Sequence, residues 1–298
     1  MHKVDQSRKG RKLIIAILLN LFITVGQVFG GVISGSISLI SDALHNFSDV
    51  IALLVSYIAT GLVDKKHTPR RTFGFKRAEI FAAFINVSTL IAIAIFLCFE
   101  AVRRFRNPVE IESTWVIVFA AWSILLNGVS VIILHHEARH SMNIKSAYVH
   151  LLSDMFTSIA VLAGGILMAR FGLYWIDGLL TLLIAAYLIY STWSILIESI
   201  KVLMLFTPAS IDPGEISNMI CKEPGIRNIH HVHIWQLNEN SIHFEAHIEF
   251  TDNISLDEAN KTFEKIREVL HAEFSIDHVT LQPEYDACHK QDLISQSH

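Results

Sequence analysis

Cysteine is scarce in this chain. There are three in 298 residues, Cys98, Cys221 and Cys288, far apart and in no Cys-x-x-Cys pair. That spacing excludes a disulfide framework and fits a reducing compartment for the soluble part. An excess of charge is also lacking. The net charge of -4 is too small to argue for a nucleic-acid partner. The one His-Glu-x-x-His, His136 to His140, falls in a short polar loop between two apolar runs rather than inside either of them, so it does not set two ligands and a general base within a predicted membrane helix. An enzyme is not expected.

What the chain does have is apolar length: 52% of its residues are hydrophobic, and they fall in six blocks before about residue 205. The predicted spans are Leu13–Ile33, Ile37–Val63, Phe81–Phe99, Trp115–Leu134, Ala147–Met168 and Tyr174–Ile197, each close to the ~20 residues that cross a bilayer core. Lys9, Arg11 and Lys12 precede the first run as they would in a signal peptide. The run is too long for one and no clear small-residue cleavage site follows, so a retained membrane helix is expected. The first, third and fourth spans hold no Asp, Glu, Lys, Arg or His, whereas the second holds Asp42, His45 and Asp49, the fifth His150 and Asp154, and the sixth Asp177. Ionisable side chains are costly in a membrane and mark function.

The second and fifth spans share a pattern, Leu44-His45-Asn46-Phe47-Ser48-Asp49 and Val149-His150-Leu151-Leu152-Ser153-Asp154. In each His-x-x-Ser-Asp the imidazole and the carboxylate lie four apart, on one helix face. If the two helices face each other, His45, Asp49, His150 and Asp154 converge as two nitrogen and two oxygen ligands, a set that suits tetrahedral zinc. Asp49 lies about 14 residues, or roughly 21 Å, from the end of its helix, near the midplane where transporters hold substrates. Asp42, one turn before His45, either serves an outer exit path or caps and packs its own helix.

Lys and Arg in the short loops set the expected orientation. Lys3, Arg8, Lys9, Arg11, Lys12, Lys65, Lys66, Arg70, Arg71, Lys76, Arg77, Arg139 and Lys145 fall on one side. Only Arg103, Arg104, Arg106 and Arg170 fall on the other. The first side is read as cytoplasmic, which puts both termini there.

After Thr207 and Pro208 the composition becomes that of a soluble domain. Residues 1–205 are thus read as a membrane domain and 206–298 as a cytoplasmic one. Asp212-Pro213 opens a short helix. Ile229 to Leu237 and the alternating Ile242 to Phe250 read as strands around an Asn238-Glu239-Asn240 turn. Ser255 with Glu258 opens a helix to about Phe274, and His278 to Gln282 reads as a last strand. The expected domain is α-β-β-α-β. It is rich in metal-ligating side chains, with His230, His231, His233, His243, His247, Asp277, His278, Glu284, Cys288 and His289.

Seven stretches, in order, resemble the cation diffusion facilitator family over nearly the whole chain. They are Ser41 to Asp49, Thr72 to Glu79, Ala147 to Asp154, Trp175-Ile176-Asp177, His230 to Trp235, Ala246-His247, and His278 to Gln282 with Glu284. The resemblance implies six transmembrane helices with a metallochaperone-like cytoplasmic α+β domain. It implies a homodimeric antiporter of the inner membrane that exports a divalent metal from the cytoplasm in exchange for protons. His45, Asp49, His150 and Asp154 would be its transport site, and His in both pairs is similar to the zinc-selective members. It also implies a regulatory metal, zinc again, held by His230, His247 and Glu284, with Asp277 or His278 as a fourth ligand. The loop between the fourth and fifth spans is short, with only His135, His136 and His140, as in compact bacterial resistance-type members. Arg71 stands where some members carry a loop metal ligand, with Asp64 and His67 offset from it, and Asn260 stands where some have a ligand His in the tail. Efflux extending to cadmium, cobalt or iron(II), and a membrane-anchored metal sensor, are the alternatives.

Overall fold

A computed structural model of the chain describes residues 2–63, 68–135, 142–238, 241–286 and 292–294; the side chains of 2–14, 16, 49, 52–63 and 142–147 lie outside the described residues. The elements run α1 (His2–Ser34), α2 (Ile37–Val63), α3 (Ala78–Arg106), α4 (Ser113–His135), α5 (Met142–Phe171), α6 (Trp175–Leu203), α7 (Pro213–Ile220), β1 (Ile226–Asn238), β2 (Ser241–Phe250), α8 (Leu256–Phe274) and β3 (His278–Glu284).

Stretches within α1, α3, α4, α5 and α6 are long and apolar enough to cross a membrane. The remaining long helix, α2, has 27 residues and carries Asp42, His45 and Asp49. The protein is therefore an α-helical membrane protein with six transmembrane helices and a C-terminal α+β domain. Most of these helices outrun the apolar runs that predict them; α3, for example, extends past Phe99 to Arg106. Backbone hydrogen bonding continues into polar sequence, which a hydropathy limit does not register.

The chain forms two compact units: Met1–Ile58 with Ile85–Leu196, and Ala59–Phe84 with Ile197–His298. The second unit thus holds more than the tail, since it includes the connection between α2 and α3.

The first unit buries polar side chains beside an apolar core and exposes many apolar ones. On α1, Asn20, Thr24 and Gln27 are buried while Leu18, Phe22, Val25 and Phe29 are exposed. That inverts the arrangement of a water-soluble helix and is what a lipid surround selects. α4 packs against α1 and α5. A Cβ at Gly26 would overlap the Trp122 ring, and one at Gly30 the Phe119 ring. Two glycines one turn apart thus let α1 and α4 approach closely, as small residues do between membrane helices.

The start of α2 is fixed from a distance. The first N–H groups of any helix lack intrahelical acceptors. Here Asp177, in the first turn of α6, accepts from Ile37 N (3.0 Å), Ser38 N (3.2 Å), Ser38 Oγ (2.6 Å) and Ser36 Oγ (2.5 Å). Its side chain is fully buried. Arg104 lies 3.9 Å from Asp177 and donates to the Gly35 carbonyl. One carboxylate therefore caps α2 across 140 residues of sequence.

In the second unit, Asp212 accepts from Gly214 N (2.8 Å) with Pro213 at the first helical position of α7, as the sequence predicts. The sheet order is β1-β2-β3, with β1–β2 antiparallel and β2–β3 parallel. A parallel pair requires a crossover, which α8 supplies. The capping box of Ser255 and Glu258 opens α8. Hydrogen bonds from the Ser255 backbone, then its hydroxyl, hold the Glu258 carboxyl below the usual range. Ile216, Ile220, Ile229, Phe244, Ile248 and Leu270 form the core beneath the sheet. The register of β1 against β2 shifts between His230 and His233, where His231 has a φ of 54°. That is a bulge, which turns neighbouring side chains toward one face. Glu239 and Asn240 of the predicted turn lie outside the described residues.

Candidate metal centres

The first cluster joins α2 and α5. Asp154 is fully buried. Its Oδ1 lies 3.4 Å from His45 Nε2 and its Oδ2 lies 3.6 Å from His150 Nε2. Neither oxygen accepts a hydrogen bond among the described residues. His45 is buried, His150 is partly exposed, and their rings sit 5.8 Å apart, edge to face. Ligand atoms from the three residues all lie within 4.8 Å of one another. A buried carboxylate that faces two imidazole nitrogens without accepting a hydrogen bond has lone pairs that could hold a shared cation. Asp49 lies on α2 one turn beyond His45, and its side chain lies outside the described residues.

Three neighbours escape the sequence reading. Tyr187 on α6 meets the His45 ring edge to face at 6.3 Å. Gln27 donates to Asp42 (2.5 Å) and accepts from Asn46 (2.9 Å). Ser158 donates to Asp42 (3.0 Å) and bonds Ser123 (2.8 Å). Asp42 therefore ties α1, α2 and α5 together beside the cluster, which favours its packing role over an exit path. The polar stripe Asn20, Thr24 and Gln27 in an otherwise apolar run was the available signal.

The second cluster lies on the sheet of the other unit. Its residues come from three strands: His230 on β1, His247 opposite it on β2, and Glu284 on β3. Glu284 Oε2 is 3.1 Å from His230 Nε2, and Oε1 is 2.7 Å from His247 Nδ1. All three are partly buried. His230 Nδ1 is buried without a hydrogen bond among the described residues. Two imidazoles and a carboxylate within 4.8 Å fit a zinc-type ion with a fourth position left over.

Asp277 and His278 do not join this cluster. In the β2–β3 register His278 stands opposite His243, while Gln282 stands opposite His247. Four rungs of strand separate them, roughly 13 Å. Asp277 instead pairs with Ile242, accepting from its N–H (3.2 Å) and donating to its carbonyl (3.1 Å). The His278 ring lies 4.7 Å from buried His243, which stacks on Trp235 at 5.3 Å. Burial, then the charges of His278 and Lys76, push the His243 imidazole below its ordinary pKa, against the opposing pull of Asp277. The resemblance implies Asp277 or His278 as a fourth ligand; the parallel register sets both residues about four rungs from His247 instead. Asp64, His67, His136, His140, Cys288 and His289 lie outside the described residues.

Comparison with known proteins covers both units. Residues 13–204 match the model of the cation efflux transmembrane domain, and residues 208–286 that of the cation efflux protein cytoplasmic domain. The chain is 32% identical over 282 residues to the metal cation efflux system protein CzcD of Cupriavidus metallidurans, covering 95% of this chain and 89% of the relative. It is 32% identical over 288 residues to the cadmium, cobalt and zinc/H(+)-K(+) antiporter of Bacillus subtilis, covering 96% and 92%. It is 30% identical over 291 residues to zinc transporter ZitB of Escherichia coli, covering 97% and 92%. Transport of metal cations is the family's work, and no enzymatic family is indicated. With two His-and-carboxylate clusters, one between apolar helices and one on the tail's sheet, and with both family domains matched in order, the chain belongs to the cation diffusion facilitator family, among its zinc-type bacterial efflux proteins.

Proposed function

We propose that this multi-pass membrane protein, whose family effluxes divalent metal cations, exports Zn2+ from the cytoplasm in exchange for protons through His45, Asp49, His150 and Asp154. The observation that carries this reading is the Asp154 carboxylate, fully buried and set between two imidazoles. Zinc binds neutral imidazole and ionised carboxylate, so its arrival displaces protons and its departure readmits them. A site that takes metal or protons but not both exchanges one for the other as it opens to alternate sides. The loop charges support cytoplasmic termini, a membrane domain over 1–205 and a cytoplasmic domain over 206–298. The inner membrane is the expected location for a chain so similar to bacterial efflux proteins. The test is zinc uptake with counterflow of protons in proteoliposomes of the purified protein. Zinc flux that neither moves protons nor responds to an imposed pH gradient would remove the antiport.

The names of related proteins include cadmium and cobalt, so the ranking of metals is the natural next measurement. His45→Asp is expected to weaken the preference for zinc and raise acceptance of manganese, because a carboxylate in place of imidazole hardens the site and adds negative charge. Competition flux assays read this directly, and an unchanged ranking would move selectivity away from His45.

The tail cluster supports a second role, a regulatory zinc that tightens a homodimer. Its three residues come from three strands, so a bound ion pins the sheet together, and binding to the folded form alone stabilises it by mass action. Replacing His230 and His247 together with Ala is expected to abolish the zinc-dependent rise in melting temperature of the isolated domain, residues 209–290. In the full chain it should slow transport or shift its zinc dependence while leaving residual flux. Complete loss of flux with normal folding would make the tail site part of the transport path instead.

A further inference from the structure

The connection between α2 and α3 does more than join two helices. Thr68 and Arg71 close a tight turn by exchanging backbone hydrogen bonds (3.2 and 2.8 Å), and the Arg71 guanidinium sits 4.7 Å over the Phe75 ring. Phe73 then meets His243 edge to face at 5.8 Å, and Lys76 Nζ reaches Ser241 Oγ at 3.2 Å. Between this segment, the residues just after α6 and strand β1 lies a cavity of about 420 Å³. Its walls are apolar, formed by Phe73, Leu205, Trp235 and Leu237, and among the described residues its charged lining is Lys76 and Arg77, with no carboxylate.

Two features of this lining ask for an anionic ligand. Arg77 Nε is buried and has no hydrogen-bond partner among the described residues, and a buried guanidinium nitrogen without an acceptor is costly. Lys76 supplies a second positive charge, and guanidinium and ammonium groups together suit a phosphate. A third feature selects its source. The cavity lies where α3 begins, at Ala78, and just beyond the end of α6, at Leu203. Met204, Leu205 and Phe206, which follow α6, are all exposed. A free phosphate has no use for aromatic and aliphatic walls at the ends of two membrane helices, whereas a lipid fills them with its glycerol and first acyl carbons. We propose that this cavity binds an anionic phospholipid, with its phosphate between Lys76 and Arg77 and its apolar part against Phe73, Trp235 and Leu205. Basic pockets at the ends of membrane helices hold anionic headgroups in this way. Neither metal cluster contributes a residue to it, so the proposal stands apart from the transport reading.

The test uses the full chain in neutral detergent, with melting temperature and native mass spectrometry as readouts. Phosphatidylglycerol is expected to bind and raise the melting temperature at concentrations at least tenfold below those needed with phosphatidylcholine, and millimolar inorganic phosphate to have no effect. The double substitution Lys76→Gln with Arg77→Gln should weaken phosphatidylglycerol binding roughly 30-fold, from a factor of ~5 for each charge lost, while Lys76→Arg with Arg77→Lys retains it. If the double variant does not fold, Lys76→Gln alone should give roughly the fivefold loss. Leu205→Asn, which keeps both charges, should also weaken the lipid. Equal binding of the two lipids, or retention of phosphatidylglycerol by the Gln variants, would overturn the proposal. A shift reproduced by inorganic phosphate would replace it with a free-anion site.

Discussion

Asp154→Ala is expected to reduce zinc flux in proteoliposomes to background, a loss of roughly 100-fold or more, since outer-sphere partners alone cost ~10–100-fold and this residue touches both imidazoles. Stability should behave in the opposite way. The two oxygens of Asp154 face the imidazoles at 3.4 and 3.6 Å but accept no hydrogen bond among the described residues, so no hydrogen bond there offsets the cost of burying the carboxylate. Its removal should leave the metal-free melting temperature unchanged or slightly higher. What should disappear is the rise in melting temperature that zinc produces. Asp154→Asn, which keeps volume and one acceptor but removes the charge, should lose flux almost as fully. Asp49→Ala is expected to abolish transport in the same way. Flux near the wild-type level would take α5 out of the mechanism. A fall of many degrees without zinc would make Asp154 a packing residue.

Asp177→Ala should produce the reverse profile, a large loss of stability. Four donors converge on this carboxylate, and Ser36, Ile37 and Ser38 are themselves buried, so no water replaces it readily. Leaving buried donors unsatisfied and α2 uncapped costs on the order of 3–5 kcal/mol. That lowers the melting temperature of a domain of this size by roughly 10 °C. Asp177→Asn, which keeps an acceptor oxygen, should recover about half the loss. The zinc affinity of the variant should also fall, because His45 is carried on the helix whose start is released. A melting temperature within a degree or two of wild type would show that the α2 start is held by other contacts.

These residues also show why some of the molecule could be read in advance. The meeting of His45, His150 and Asp154 was legible because polar residues that share a helix face recur at the helical period and cannot hide in an apolar span. The tail was legible for a related reason. Asp212 with Pro213 and Ser255 with Glu258 are local devices, satisfied within three residues of themselves. The bond from Ser36 to Asp177 spans 141 residues and leaves no periodic trace. The pairing of Gln27 with Asp42 leaves little more. The placement of His278 beside His243 depends on β3 running parallel to β2, and the alternation of either strand is the same for both directions. That is why Asp277 and His278 read as companions of Glu284. The helical limits fell short because hydropathy measures what lipid tolerates, and hydrogen bonding does not stop there.

The cap on α2 also makes that helix a lever with a fixed fulcrum. His45 stands eight residues from Ile37, about 12 Å along the axis, and Val63 stands 26 residues away, about 39 Å. A tilt of about 10° at the fulcrum would carry His45 through an arc of ~2 Å and Val63 through ~7 Å. The short arm moves far less, yet ~2 Å is some ten times the ~0.2 Å that metal–ligand distances tolerate. Under the proposed transport, a tilt about that end of α2 would move His45 and the far end of the helix together.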